Sequence, residues 1–384
     1  MPNSLISRQW VTDKRGIMIA GNRVKYSKIK IRLLAIACMF VLLLFLMFSF
    51  RNQPEIIEKY YSNGIYIVIR QGFQFLFNYI PFSFGDLFYI VIIISLFTGI
   101  YRLIRLLIGR QLQKAGHLFL GFILKLEIAV AVFYVLWALN YFRQPAQERL
   151  KLQNYDYKAA ELLMVTSMLI DSANQSRASL EASDFNVAQE QIVAPAINAI
   201  NGLSSFNPPL FAIKPLAKSS LLSPLLNYIG TAGYYNPFTG EAQFNSLMPV
   251  FTQPFVACHE MAHQMGFGAE DEANFAGFIA GKSSSNKLLR YSAYYLAAQE
   301  FMNEVWRTDS IAFRQMKDKI SPEVIKDLET ERKYWTKYQG GAAKLSSIFY
   351  DNYLKANKQP GGLKTYNRMI KLSMAYYKKK GFFK

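Results

Sequence analysis

The sequence predicts a multi-pass α-helical membrane anchor followed by a mainly helical α+β domain. Three observations carry this reading. Apolar runs long enough to span a bilayer crowd the first 142 residues. From Tyr155 onward the chain turns polar, with apolar residues at helical spacing. Within that polar region a single stretch, Phe255 to Ala280, carries His259-Glu260-Met261-Ala262-His263, an HExxH. The 384 residues leave room for a membrane region and one globular domain of ordinary size.

Residues 1–32 read as a basic tail. The formal charge of +18 points to nucleic acid or to an anionic membrane, and its placement decides between them. Arg8, Lys14, Arg15, Arg23, Lys25, Lys28, Lys30 and Arg32 stand against the single acid Asp13, immediately before an apolar run. That is the flank of a membrane anchor, and no nucleic-acid motif accompanies it.

Residues 33–142 read as the membrane region. Leu33 to Phe50 has the length of an uncleaved spanning helix rather than of a signal peptide. Residues 87–108 form a second span, with Arg102 and Arg105 able to snorkel at its end, and residues 118–142 a third. Ile65 to Phe84 is apolar but carries Arg70, Gln71, Gln74 and Asn78, so it is expected to lie in or near the interface without crossing. The 101–117 loop holds Arg102, Arg105, Arg110 and Lys114 with no acid. The positive-inside rule then places the N-terminus in the cytoplasm and residues 143–384 outside, on the periplasmic face of a bacterial inner membrane.

In residues 143–384, the segments 159–170, 187–203, 288–306, 322–338, 343–356 and 363–380 read as helices. Asn236-Pro237 and Thr239-Gly240, flanked by aromatic residues, predict a short hairpin over 233–245. Cys38 and Cys258 imply no disulfide framework. Adjacent helix positions point about 100° apart, so Cys258 is expected in the core rather than on an ion beside His259.

Two of the three histidines are spent in the HExxH. Positions i and i+4 share a helix face, so both imidazoles can reach one ion, with Glu260 beside it as the base. Pro254 fits the first turn of that helix, and Gly266-Phe267-Gly268 its end. A catalytic zinc takes three protein ligands and a water. His117 lies on the opposite side of the membrane in this topology, and Ala269 stands where an HExxHxxGxxH motif would place its third histidine. A carboxylate is therefore expected, from the helix that opens with Glu270-Asp271-Glu272. Glu272 is the first choice and Glu270 the alternative, with Asp271 as a partner to an imidazole N–H. For an oxyanion donor the candidates are Tyr366, Arg368 and Tyr350.

Glu272-Ala273-Asn274-Phe275-Ala276 resembles the helix of bacterial HExxH peptidases whose third ligand is the glutamate before Ala-Asn. More closely, three membrane helices followed by GYYNPFTGEA, HExxHQxGF and EDEANF resemble the bacterial membrane family called domain of unknown function 3810. That resemblance covers most of residues 55–380 and implies a zincin-like domain; the family carries no assigned substrate. In zincins an edge strand before the site helix pairs with the substrate backbone, and Glu241 to Ser246 is the expected equivalent. The expectation is a gluzincin-type metallopeptidase with one zinc per chain, acting on peptide or protein of the cell envelope. The competing expectation is a sensor, transducer or binding module of the same fold.

Overall fold

The computed structural model describes residues 29–152, 156–203, 215–359 and 367–383, without the side chains of Asn367 and Arg368. Its chain divides into two compact units, Met1–Ser49 with Ile90–Val135 and Phe50–Tyr89 with Leu136–Lys384.

The first unit contains most of α1 (Ile29–Arg51), α3 (Phe84–Ile108) and α4 (Leu112–Leu136). All three are long and apolar enough to cross a membrane, and their apolar side chains point outward. This makes the chain a membrane protein. The third span begins and ends earlier than the expected 118–142. At Trp137 the backbone leaves the helix (φ −156°), and a 3₁₀ turn follows over Ala138–Phe142. Trp137, Asn140 and Phe142 are buried in the second unit, because Asn140 and the Trp137 N–H have polar partners there.

The second unit also claims residues 50–89, a segment expected to belong to the membrane region. It forms a π-helical stretch, Ile57–Ile65, that runs into α2 (Tyr66–Phe77). Helices α5 (Ala159–Ala178), α6 (Gln189–Gly202) and α7 (Ser223–Ile229) follow. Then come α8 (Gln253–Gln264), α9 (Glu270–Lys282), α10 (Lys287–Thr308), α11 (Ser310–Lys317), α12 (Pro322–Lys337), α13 (Gly341–Ala356) and α14 (Asn367–Lys379). The core is built on α8 and α9, with Phe255, Cys258, Met261, Phe275 and Phe278 packed against α5, α6 and α10 residues such as Leu169, Val193 and Phe301. Cys258 is fully buried there and free.

The sheet has three strands in the order β1 (Ala217–Ser219), β3 (Glu241–Phe244), β2 (Gly233–Asn236). The hairpin forms as expected, with Tyr235 opposite Ala242 in antiparallel register. The expectation of an edge strand over Glu241 to Ser246 is corrected: β3 is central, because β1 pairs with it in parallel. The two edges of the sheet are β1 and β2.

Glu241 explains how the sheet is tied to the first turn of α3. Its carboxylate accepts from the backbone N–H groups of Phe84 (3.2 Å) and Gly85 (2.5 Å), two donors that a helix start leaves without partners. Lys218 neutralises it at 2.7 Å and also donates to the carbonyls of Phe77 and Phe82. Asp86 in the same turn accepts from Tyr234, from Ser220 Oγ and from Leu221 N. The start of an apolar helix is thereby held in a buried ionic lattice.

Both members of the Lys218–Glu241 pair are at most 5% exposed. Removing one partner leaves the other charged and buried, so Glu241→Ala should cost about 3–5 kcal/mol. Thermal unfolding in detergent measures this, and an unchanged midpoint would show that the pair is not what fastens the sheet.

Candidate metal centre

Helix α8 places its site residues by simple phase. Pro254 occupies the first turn, His259 and His263 share one face, and Gly266 reverses the chain with φ +86°. His259 Nε2 and His263 Nε2 lie 3.0 Å apart. His263 Nδ1 stands 2.7 Å from the Phe267 carbonyl, which holds the proton on Nδ1 and leaves the Nε2 lone pair facing His259. That carbonyl fills the role expected of Asp271 toward this imidazole.

The carboxylate beside the imidazoles is Glu270. Its Oε2 is 3.3 Å from His259 Nε2 and its Oε1 3.4 Å from His263 Nε2. Glu272, the expected third ligand, is directed elsewhere: it accepts from Ala146 N at 2.6 Å and pairs with Arg149 Nη2 at 2.5 Å. Helix phase is the reason. Residues two apart point about 200° apart, so one of these two glutamates can face α8. The face of α9 turned to α8 carries Glu270 and Gly277, and Gly277 lies directly against the His259 backbone. Arg149 also stacks on the Phe267 ring at 4.8 Å, so Glu272 fastens the segment after the membrane helices to the turn behind the site.

Glu260 completes the group: ligand atoms of His259, Glu260 and His263 lie within 4.8 Å of one another. Its side chain meets β2, where a Cβ on Gly233 would stand 2.8 Å from Glu260 Oε1 and 2.7 Å from the Gln243 carbonyl. Sequence reasoning misses this role of Gly233, because one glycine at the start of a strand carries no signal of what lies across from it. Tyr350 of α13 donates to Glu270 Oε1 at 2.6 Å. Tyr366 lies outside the described residues, as does the side chain of Arg368.

The end of α8 is held from outside the helix. Trp137 Nε1 donates to the His263 carbonyl (2.9 Å), Tyr66 OH to that of Gln264 (2.8 Å) and Arg143 Nη1 to that of Gly266 (2.8 Å). Arg143 is itself held by Glu58 through two hydrogen bonds.

Electrostatically the centre favours a cation. Burial disfavours a charged His263, but the Glu270 carboxylate outweighs it and lifts the imidazole to about 9. Burial acts against the Glu270 charge too, yet the two histidines hold that carboxyl well below its usual range. Burial pushes Glu260 up to about 7, against the pull of His259 and His263.

These shifts set a pH dependence for the metal-free protein. His263, raised above its ordinary 6.5, stabilises the fold fully below that value and loses the contribution as pH rises through about 9. Glu260, raised from 4.5, acts in the same direction and loses its contribution through about 7. Glu270, depressed, contributes above 4.5 and loses this on acidification. Metal-stripped protein should therefore lose stability steadily between about pH 5 and pH 9. Glu260→Gln should flatten the slope below about pH 7. Denaturant midpoints across that range decide it; midpoints that rise toward pH 9 would contradict the assignment.

The family model described as Protein of unknown function (DUF3810) matches residues 61–374. No curated protein and no solved structure matches the chain. The matched stretch takes in α2, both later membrane helices, the sheet and the whole His-Glu cluster, and the chain belongs to the DUF3810 family.

Proposed function

We propose that the protein is a membrane-anchored metallopeptidase whose ion, of zinc type, is held by His259, His263 and Glu270. One observation carries the reading. The two imidazole Nε2 atoms stand 3.0 Å apart and each meets its own oxygen of Glu270, at 3.3 Å and 3.4 Å, and ligands at about 2.0–2.1 Å around a tetrahedral ion are separated by about 3.3 Å. Two imidazoles and a carboxylate suit zinc chemically, and the tautomer fixed by Phe267 presents the correct nitrogen of His263.

A divalent ion bound there would supply Lewis acidity to a water and to a scissile carbonyl. The remaining work falls to the chain's own groups. Glu260, raised to about 7 by burial, accepts the proton of the attacking water and passes it to the leaving amine. Tyr350, whose hydroxyl donates to Glu270, is the candidate donor to the oxyanion among the described residues. Edge strand β2 passes beside Glu260 and offers backbone groups to an extended peptide. In this reading the domain is zincin-like and of gluzincin type, and Glu272 is a positioning residue acting through Arg149.

In this reading the N-terminus lies in the cytoplasm and the site in the periplasm of a bacterial cell, which the basic N-terminal tail and the basic residues around the α3–α4 turn support. The substrates are peptides or proteins of the envelope. The site side chains are only 6–12% exposed, which favours a narrow substrate range. The same enclosure supports a second reading, a zincin-fold sensor or transducer that binds or cleaves one partner.

Turnover of a fluorogenic peptide library by the purified protein tests the proposal. Glu260→Gln should lower kcat about 10²–10⁴-fold while leaving KM close to wild type. Tyr350→Phe should lower kcat about 10²–10³-fold. Turnover that survives Glu260→Gln would place the chemistry elsewhere.

A further inference from the structure

Helix α2 presents a surface that the metal centre does not use. Ile65, Val68, Phe75, Leu76 and Tyr79 are 58–75% exposed and recur on one side at helical spacing. Tyr66, Arg70 and Gln74, on the opposite side, are buried. From Tyr60 to Gly85 the single charged residue is Arg70, so the outward face is apolar along its length and carries no charge. An ordinary water-facing helix has the reverse pattern, and a contiguous apolar face marks a surface that something else covers.

Covalent connection says what covers it. Helix α1 ends at Arg51 and α3 begins at Phe84, so residues 52–83 leave a membrane face and return to it. Helix α2 ends at Phe77, a short turn before α3 enters the apolar layer. An uncharged apolar face tied at both ends to spanning helices has the bilayer as its nearest apolar phase.

We propose that the outward face of α2 is seated in the lipid at the headgroup boundary and holds the metal centre at the membrane surface. Taking the centre as a peptidase, its substrates are polypeptides tethered to that same membrane. The docked side of α2 supplies the link. Tyr66 donates to the Gln264 carbonyl at the end of α8, so the HExxH helix ends about one helix diameter, ~10 Å, from the lipid-facing side. The starting turn of α3 and the segment just after α4 are bound likewise, through Glu241 and Trp137. A membrane-attached chain meets such a site at high effective concentration, which a soluble one does not.

The test uses the full chain in phospholipid nanodiscs. Cys38→Ser removes the exposed thiol, and Cys258 is fully buried. Single cysteines are introduced as Val68→Cys, Phe75→Cys or Tyr79→Cys and labelled with an environment-sensitive fluorophore, with exposed Glu329→Cys on α12 as the control. The three sites report separately, so a variant that fails to fold does not end the test. The α2 labels should be quenched by headgroup-proximal nitroxide lipids and shielded from aqueous iodide, with the control showing the opposite. Iodide quenching at α2 equal to the control would overturn the proposal. Resistance to both quenchers would also overturn it, showing the face covered by protein, such as a second copy of the chain. A second arm compares one fluorogenic peptide with and without a palmitoyl anchor. Faster cleavage of the anchored form is expected, and equal rates would overturn the substrate class. Cleavage of neither, with lipid quenching intact, would defeat the peptidase reading and leave the lipid seat standing.

Discussion

Everything about the centre depends on how the last turn of α8 is terminated. A helix end leaves carbonyls without intrahelical partners, and here that end also carries His263. The His263 carbonyl is taken by Trp137, that of Gln264 by Tyr66 and that of Gly266 by Arg143. Two of these donors follow α4 in sequence and one opens α2. The orientation of one imidazole is therefore set by residues from the segment just after α4 and from the start of α2. Phe267, carried round by the Gly266 turn, returns its own carbonyl to His263 Nδ1 and fixes the tautomer. Without these bonds the helix end would fray and the spacing of the two Nε2 atoms would be lost with it.

Two neighbouring glutamates divide the labour on α9. Glu270 meets the imidazoles and Glu272 meets Arg149, although both are buried and both lie in the first turn of the same helix. Each negative charge is matched where it points. Glu270 faces His263, whose pKa it raises, and Glu272 faces a guanidinium packed on Phe267. Glu241 repeats the device in the sheet, where Lys218 and two helix-start N–H groups share its charge. Buried carboxylates thus serve three different ends in one domain, and their surroundings decide which.

How much of this could be read in the sequence follows from the range of the forces involved. Membrane helices are legible because about twenty apolar residues in a row have few other uses. The hairpin is legible because Asn-Pro and Thr-Gly specify turns locally, and the register found between Tyr235 and Ala242 needs nothing else. Cys258 in the core follows from helix phase beside His259. Other features are tertiary and leave no local trace. Strand β1 is three residues, Ala-Lys-Ser, too short for alternation to show. The choice between Glu270 and Glu272 depends on which face of α9 meets α8, and Gly277, further along the helix, marks that face. Trp137 to Arg143 looks like the end of an apolar span until the carbonyls of α8 supply partners for its polar atoms. Tyr350 reaches Glu270 across 80 residues of sequence.

The proposed metal site joins His259, His263 and Glu270, with Glu260 beside it and Glu272 outside it. Metal content of the purified full-length protein by elemental mass spectrometry, wild type against Glu270→Ala, Glu272→Ala and Glu260→Gln, tests it most directly. About one zinc per chain is expected in the wild type, retained in Glu260→Gln and Glu272→Ala and lost in Glu270→Ala. Zinc lost in Glu272→Ala but kept in Glu270→Ala, or a folded wild-type protein that takes up no metal, would contradict it.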